Sequence, residues 1–143
     1  MTALRWGLFF GAGIAAANLV LQFIVTPFVP WQLVGALSVV TWLAGLAATG
    51  VLAGARSVRM GASAAVIAAA VDLLRSATVA IVVGAPAVPS SALRGSPTPG
   101  VIIGGTIVEF ILLLGPVAAC IGLAAARVSN RSRSSAPQTA AGD

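Results

Sequence analysis

Four long apolar runs, separated by short polar or proline-rich stretches, make up most of the chain. The first extends from Trp6 to about Val29, the second from Leu33 to Leu52, the third from Gly61 to Val83 and the fourth from Val101 to Ala126. At a rise of about 1.5 Å per residue, each is long enough to cross a hydrocarbon core of about 30 Å. The pattern predicts an all-α polytopic membrane protein, a bundle of four transmembrane helices at about 6–29, 33–52, 61–83 and 101–126 within one domain, 1–128. From Ser129 to Asp143 the residues are small and polar, which predicts a disordered tail.

The breaks between runs carry their own signals. Pro27 and Pro30 end the first helix in a tight turn and place Trp31 where an interfacial aromatic anchor belongs. Ala55-Arg56-Ser57-Val58-Arg59 is a short basic loop, and Gly84 to Gly100, with prolines at 86, 89, 97 and 99, favours extended backbone with no fixed fold. Gly115-Pro116 interrupts the fourth helix, where the missing backbone donor commonly bends a membrane helix. A signal peptide is the rival reading of the first run, with Arg5 as its basic region and Ala15-Ala16-Ala17 as its cleavage site. The apolar run continues through Phe23-Ile24-Val25, so a retained helix is expected.

Composition narrows the class further. Of the 143 residues 59% are hydrophobic and 8% charged, against roughly 25% charged in a soluble domain. The mean hydropathy is +1.06. Every cation is arginine, and with abundant alanine, glycine and valine this points to a GC-rich bacterial genome and therefore to the cell membrane. Arg5, Arg56, Arg59, Arg127, Arg131 and Arg133 fall on one side of the four runs and only Arg94 on the other. The positive-inside rule then puts both termini in the cytoplasm. Arg127, Arg131 and Arg133 would attract anionic lipid, at about 1 kcal/mol each near the surface. A pI of about 11.8 does not imply nucleic acid, because basic patches interleaved with exposed aromatics are absent. Asn130-Arg131-Ser132 matches a glycosylation sequon, but carries no meaning in a bacterial cytoplasmic tail.

The candidate chemistry is sparse. There is no histidine and a single cysteine, Cys120, which sits in the fourth apolar run and reads as a small buried residue. Neither a metal site nor a cofactor is expected. Asp72 and Arg75 stand three residues apart on one face of the third helix, close enough to pair. Glu109 is the one charge within the fourth run, and Arg75 and Glu109 each lie about 12 Å from the outer boundary of their helices. The natural arrangement is Arg75 between Asp72 and Glu109. Unpaired, the two charges of the third helix cost about 5 to 7 kcal/mol, against about 3 to 5 recovered from its aliphatic residues. Asn18 and Gln22 on the first helix complete the candidate binding set of Asp72, Arg75, Glu109, Asn18 and Gln22. Ser38, Thr41, Ser76, Thr78 and Thr106 lie near the same level, while Trp42 is too deep for an interfacial anchor and packs inside the bundle or faces lipid.

Two weaker patterns bear on assembly. Gly7 with Gly11, Gly50 with Gly54 and Gly100 with Gly104 have the small-xxx-small spacing that lets helices approach closely, within the monomer in the first instance. Asn18-Leu19 matches Asp72-Leu73, and Leu52 to Arg56 matches Leu123 to Arg127, as in a duplicated hairpin, but alanine-rich helices match one another easily and shared composition is the favoured account.

These residues lead to two expectations. The first is a small structural or accessory membrane protein that meets a membrane-protein partner or a second copy of itself, its Asp/Arg/Glu cluster fixing helix packing. The alternative is an oligomeric small-solute or ion transporter, proton-coupled, with that cluster as its site. An enzyme is not expected, since no nucleophile-base pair, metal set or phosphate loop accompanies the two carboxylates.

Overall fold

A computed structural model describes residues 2–83 and 99–134, except the side chain of Trp31. The expectations for 84–98, for 135–143 and for the Trp31 anchor lie outside the described residues.

Four helices account for nearly all of the described chain, which holds no strand: α1 (Ala3–Val25), α2 (Trp31–Gly54), α3 (Val58–Val82) and α4 (Pro99–Ser134). All four are long and apolar enough to cross a membrane. The limits differ from those expected for physical reasons. α1 ends at Val25 rather than Val29: Thr26 still has helical backbone and donates to the Leu21 carbonyl, but Pro27 and Pro30 have no N–H with which to carry the ladder on. α3 begins earlier, at Val58, where the Ser57 hydroxyl accepts the Met60 N–H at 3.1 Å and caps the helix. α4 runs on to Ser134, so 129–134, expected to be disordered, are helical. Asn130 holds that extension in place by donating from Nδ2 to the Gly54 carbonyl at 3.3 Å, satisfying an acceptor that the end of α2 leaves open.

Both α1 and α4 contain one turn of π-helix, Leu21–Val25 and Phe110–Leu114. Each lies just ahead of a proline, Pro27 and Pro116. In α4 the wide turn lets the helix pass Pro116, whose ring would otherwise meet the preceding turn. A bend was expected at Gly115-Pro116, and the π turn is the form that the local distortion takes.

The helices run up, down, up, down, and α3 packs against each of the others. α2 likewise touches all three, whereas α1 and α4 share no packing among the described residues. The bundle is therefore a rhombus, with α2 and α3 on its short diagonal. Alanines dominate its buried core, including Ala53, Ala64, Ala65, Ala68, Ala69, Ala118 and Ala126; the largest fully buried side chains are Leu46 and Thr49. Large apolar residues such as Phe9, Phe28, Leu74, Val82 and Leu112 point outward. Small residues within and large ones without is the order that lipid favours, since lipid tails solvate leucine while close packing holds the helices together. The fold is that of a multi-pass membrane protein.

Packing differs along the bundle axis. At the end that carries Ala3, Gly54, Val58 and Ser134, here the terminal end, a methyl group on Gly50 would lie 2.8 Å from Gly122 Cα and one on Gly61 would lie 2.8 Å from the Gly50 carbonyl oxygen. At the opposite end, here the far end, the 99–114 segment of α4 leaves α2 and keeps only α3 as a neighbour. Gly7, Gly11, Gly50 and Gly54 thus serve close approach as their spacing suggests, whereas Gly100 and Gly104 have nothing within 4 Å.

Candidate functional site

The divergence of α4 from α2 leaves a cavity of about 380 Å³ toward the far end, lined by residues of all four helices. α3 supplies Asp72, Arg75 and Ser76, α2 supplies Ser38 and Trp42, α1 supplies Asn18, and α4 supplies Glu109. Its remaining wall is apolar: Val39, Leu43, Ala69, Leu73 and Leu114.

The helical spacing of Asp72 and Arg75 does bring them together, with Arg75 Nε donating to Asp72 Oδ1 at 2.9 Å. The pair is extended toward α1. Asn18 Nδ2 donates to both oxygens of Asp72, at 3.3 and 3.4 Å, and Arg75 Nη1 donates to Gln22 Oε1 at 3.3 Å. Asp72 and Asn18 are buried, while Gln22 lies in the π turn at the mouth of this network. Four of the five residues singled out from the sequence therefore form one polar interlock between α1 and α3.

Glu109 stands apart from it. Arg75 is turned toward α1, away from the arrangement in which it bridges Asp72 and Glu109, and no hydrogen bond or ion pair reaches Glu109 among the described residues. Its helix explains this: the last residue before the π turn of α4 belongs to the segment that α2 does not hold. Glu109 is an exposed residue that nevertheless lines the cavity.

Three further groups have unused hydrogen-bonding capacity. The Asn18 side-chain oxygen is buried and has no partner. Exchanging the two ends of that amide would place its oxygen against the Asp72 carboxylate, so the network itself fixes the orphan. The hydroxyls of Ser38 and Ser76 also make no hydrogen bond among the described residues. Thr49, Ser63 and Thr78 behave differently, each donating to the carbonyl four residues back, at 2.7, 3.0 and 2.8 Å.

The sequence did not assign Trp42 to the site; it is partly buried against the core cluster of Ile14, Leu46 and Ala69 and forms a wall of the cavity. Thr41 and Thr106, expected near this level, do not line it. Cys120 is exposed rather than buried, on a face of α4 turned from the core. Asp72 and Asn18, matched as repeat positions, touch one another, because α1 and α3 run parallel and in register. Among the described residues no group of three or more potential ligands is placed to hold a metal ion. No family model, curated protein or solved structure matches the chain, so the reading of this cavity rests on its own geometry.

Proposed function

We infer that the chain is a multi-pass protein of a bacterial cell membrane, with both termini in the cytoplasm, that binds a small solute in the far-end cavity and carries it across the membrane as an oligomer. The observation that supports this most is Glu109, whose carboxylate has no partner among the described residues and which lines a space together with Ser38 and Ser76, whose hydroxyls are unpartnered too. A charge used only to lock helices would have its counter-charge beside it, as Asp72 has. Pockets that hold small molecules span about 300–1,000 Å³ and combine apolar walls with a few convergent polar groups. Four helices are few for a pathway through one protomer, which is the reason for the oligomer.

The accessory reading keeps one observation of its own, the interlock of Asp72, Arg75, Asn18 and Gln22, which ties α1 to α3 without serving a ligand. One comparison separates the two readings. Under the solute reading, proteoliposomes carrying Glu109→Gln lose solute flux, followed by stopped-flow light scattering, while the variant accumulates normally. Flux equal to that of the unmodified protein, or none from either, would favour the accessory role.

Orientation is tested separately. In a Cys120→Ala background, single cysteines at Ser57 and Ser134 are expected to resist an impermeant thiol reagent in intact cells, and one at Ser91 to react. The reverse labelling would invert the topology drawn from the arginines.

A further inference from the structure

We propose that the cavity takes a small organic ammonium ion, its charge on the Glu109 carboxylate, its N–H bonds on the Ser38 and Ser76 hydroxyls and its apolar body along Trp42 and Leu114. The proposal rests on the solute-binding reading above and names the class of solute.

Charge gives the sign. Three ionisable side chains line the cavity, and two of them, Asp72 and Arg75, cancel one another through a direct ion pair. The third leaves one unit of negative charge with no counter-charge among the described residues. A carboxylate at membrane depth is costly unless paired, and the group that completes it must be a cation. An anion would meet Glu109 and Asp72 together, and the Arg75 guanidinium that would receive it is already drawn to Asp72 and Gln22.

Hydrogen-bonding capacity gives the head group. The Glu109 carboxylate, when ionised, only accepts. The Ser38 and Ser76 hydroxyls are able to accept as well. A carboxylate and two hydroxyls together suit a donor-rich group such as a primary ammonium, which has three N–H bonds and no acceptor.

Size and lining give the rest of the molecule. A space of about 380 Å³ walled by Trp42, Leu43, Leu73 and Leu114 is too large and too apolar for a bare inorganic cation, which would forfeit its water for few ligands. A short hydrocarbon body fills it. The indole of Trp42 adds a face that attracts cations.

The test uses the full-length protein in lipid nanodiscs and probes of one chain length that differ only in the head: butylammonium, butanol and butyrate, titrated by calorimetry. Butylammonium is expected to bind at least about tenfold more tightly than either of the others, and Glu109→Gln to weaken it by about tenfold to a hundredfold. Butyltrimethylammonium keeps the charge but has no N–H for the Ser38 and Ser76 hydroxyls, and is expected to fall between butylammonium and butanol. Should Glu109→Gln fail to melt cooperatively, the order of the four probes on the unmodified protein decides. Binding of butanol or butyrate as tight as that of butylammonium, or butylammonium binding that ignores Glu109→Gln in a folded protein, overturns the cation assignment and leaves the cavity reading standing. No binding of any probe to cooperatively melting protein overturns both.

Discussion

At the terminal end of the bundle Gly7, Gly11, Gly54, Gly61 and Gly122 each lie so close to a neighbouring helix that a single methyl group has no room, whereas Gly100, Gly104 and Gly105 at the far end face open space. The terminal end is held by backbone contact and dispersion, which tolerate no added volume. At the far end a few directed polar bonds join α1 to α3, α4 is left to diverge from α2, and a cavity results. Rigidity and vacancy are thus separated along the axis of one small bundle. A binding site benefits from this arrangement, because the packed half fixes where the cavity's walls stand.

The comparison is broken most severely by removing one member of the interlock. Asp72→Leu strands Arg75 and the Asn18 amide, and loss of one partner of a buried pair typically costs about 3 to 5 kcal/mol. Its accumulation in membranes should fall sharply, and the double variant Asp72→Leu with Arg75→Leu should recover much of it. Glu109→Leu should accumulate as the unmodified protein does. A fall for Glu109→Leu that Arg75→Leu repaired would show that those two charges pair after all.

Next in size is the glycine contrast. Gly122→Val drives a branched side chain into Ala65 and the Gly61 carbonyl, and overpacking of this kind costs about 1 to 3 kcal/mol. Gly104→Val meets nothing, and thermal unfolding in detergent should resolve the first and leave the second unchanged. Equal losses would mean that the far-end face of α4 is covered in the native assembly.

The smallest effect concerns the extension of α4. Asn130→Ala removes one hydrogen bond to the Gly54 carbonyl and should cost about 0.5 to 1.5 kcal/mol in the same assay. An undetectable change would indicate that water replaces the amide there.

Hydropathy and proline placement made the four helices legible, and the three-residue spacing made the Asp72–Arg75 pair so. What the sequence left open was the direction of Arg75. Its guanidinium follows whichever helix lies alongside α3, and chain order suggests α2 or α4 as readily as α1. The same gap explains Trp42 and Gly100: helical spacing tells which residues share a face but not which neighbour that face meets. The end of α4 was misplaced because polarity after Ala126 reads as departure from the membrane, whereas the helix continues past it, with Asn130 bonded to α2.

The absence of packing between α1 and α4 bears on how the protein is made. Ribosomes release the helices in order, and α1, α2 and α3 already form a closed triangle of contacts before the last helix exists. Among the described residues, every hydrogen bond and ion pair of the side chains of Asn18, Gln22, Asp72 and Arg75 lies within that triangle. Asp72 and Arg75 of α3 therefore meet their partners at the moment the helix enters the bilayer, from a helix synthesised before it. The final helix arrives as a lid on a finished frame, and brings Glu109 to it last.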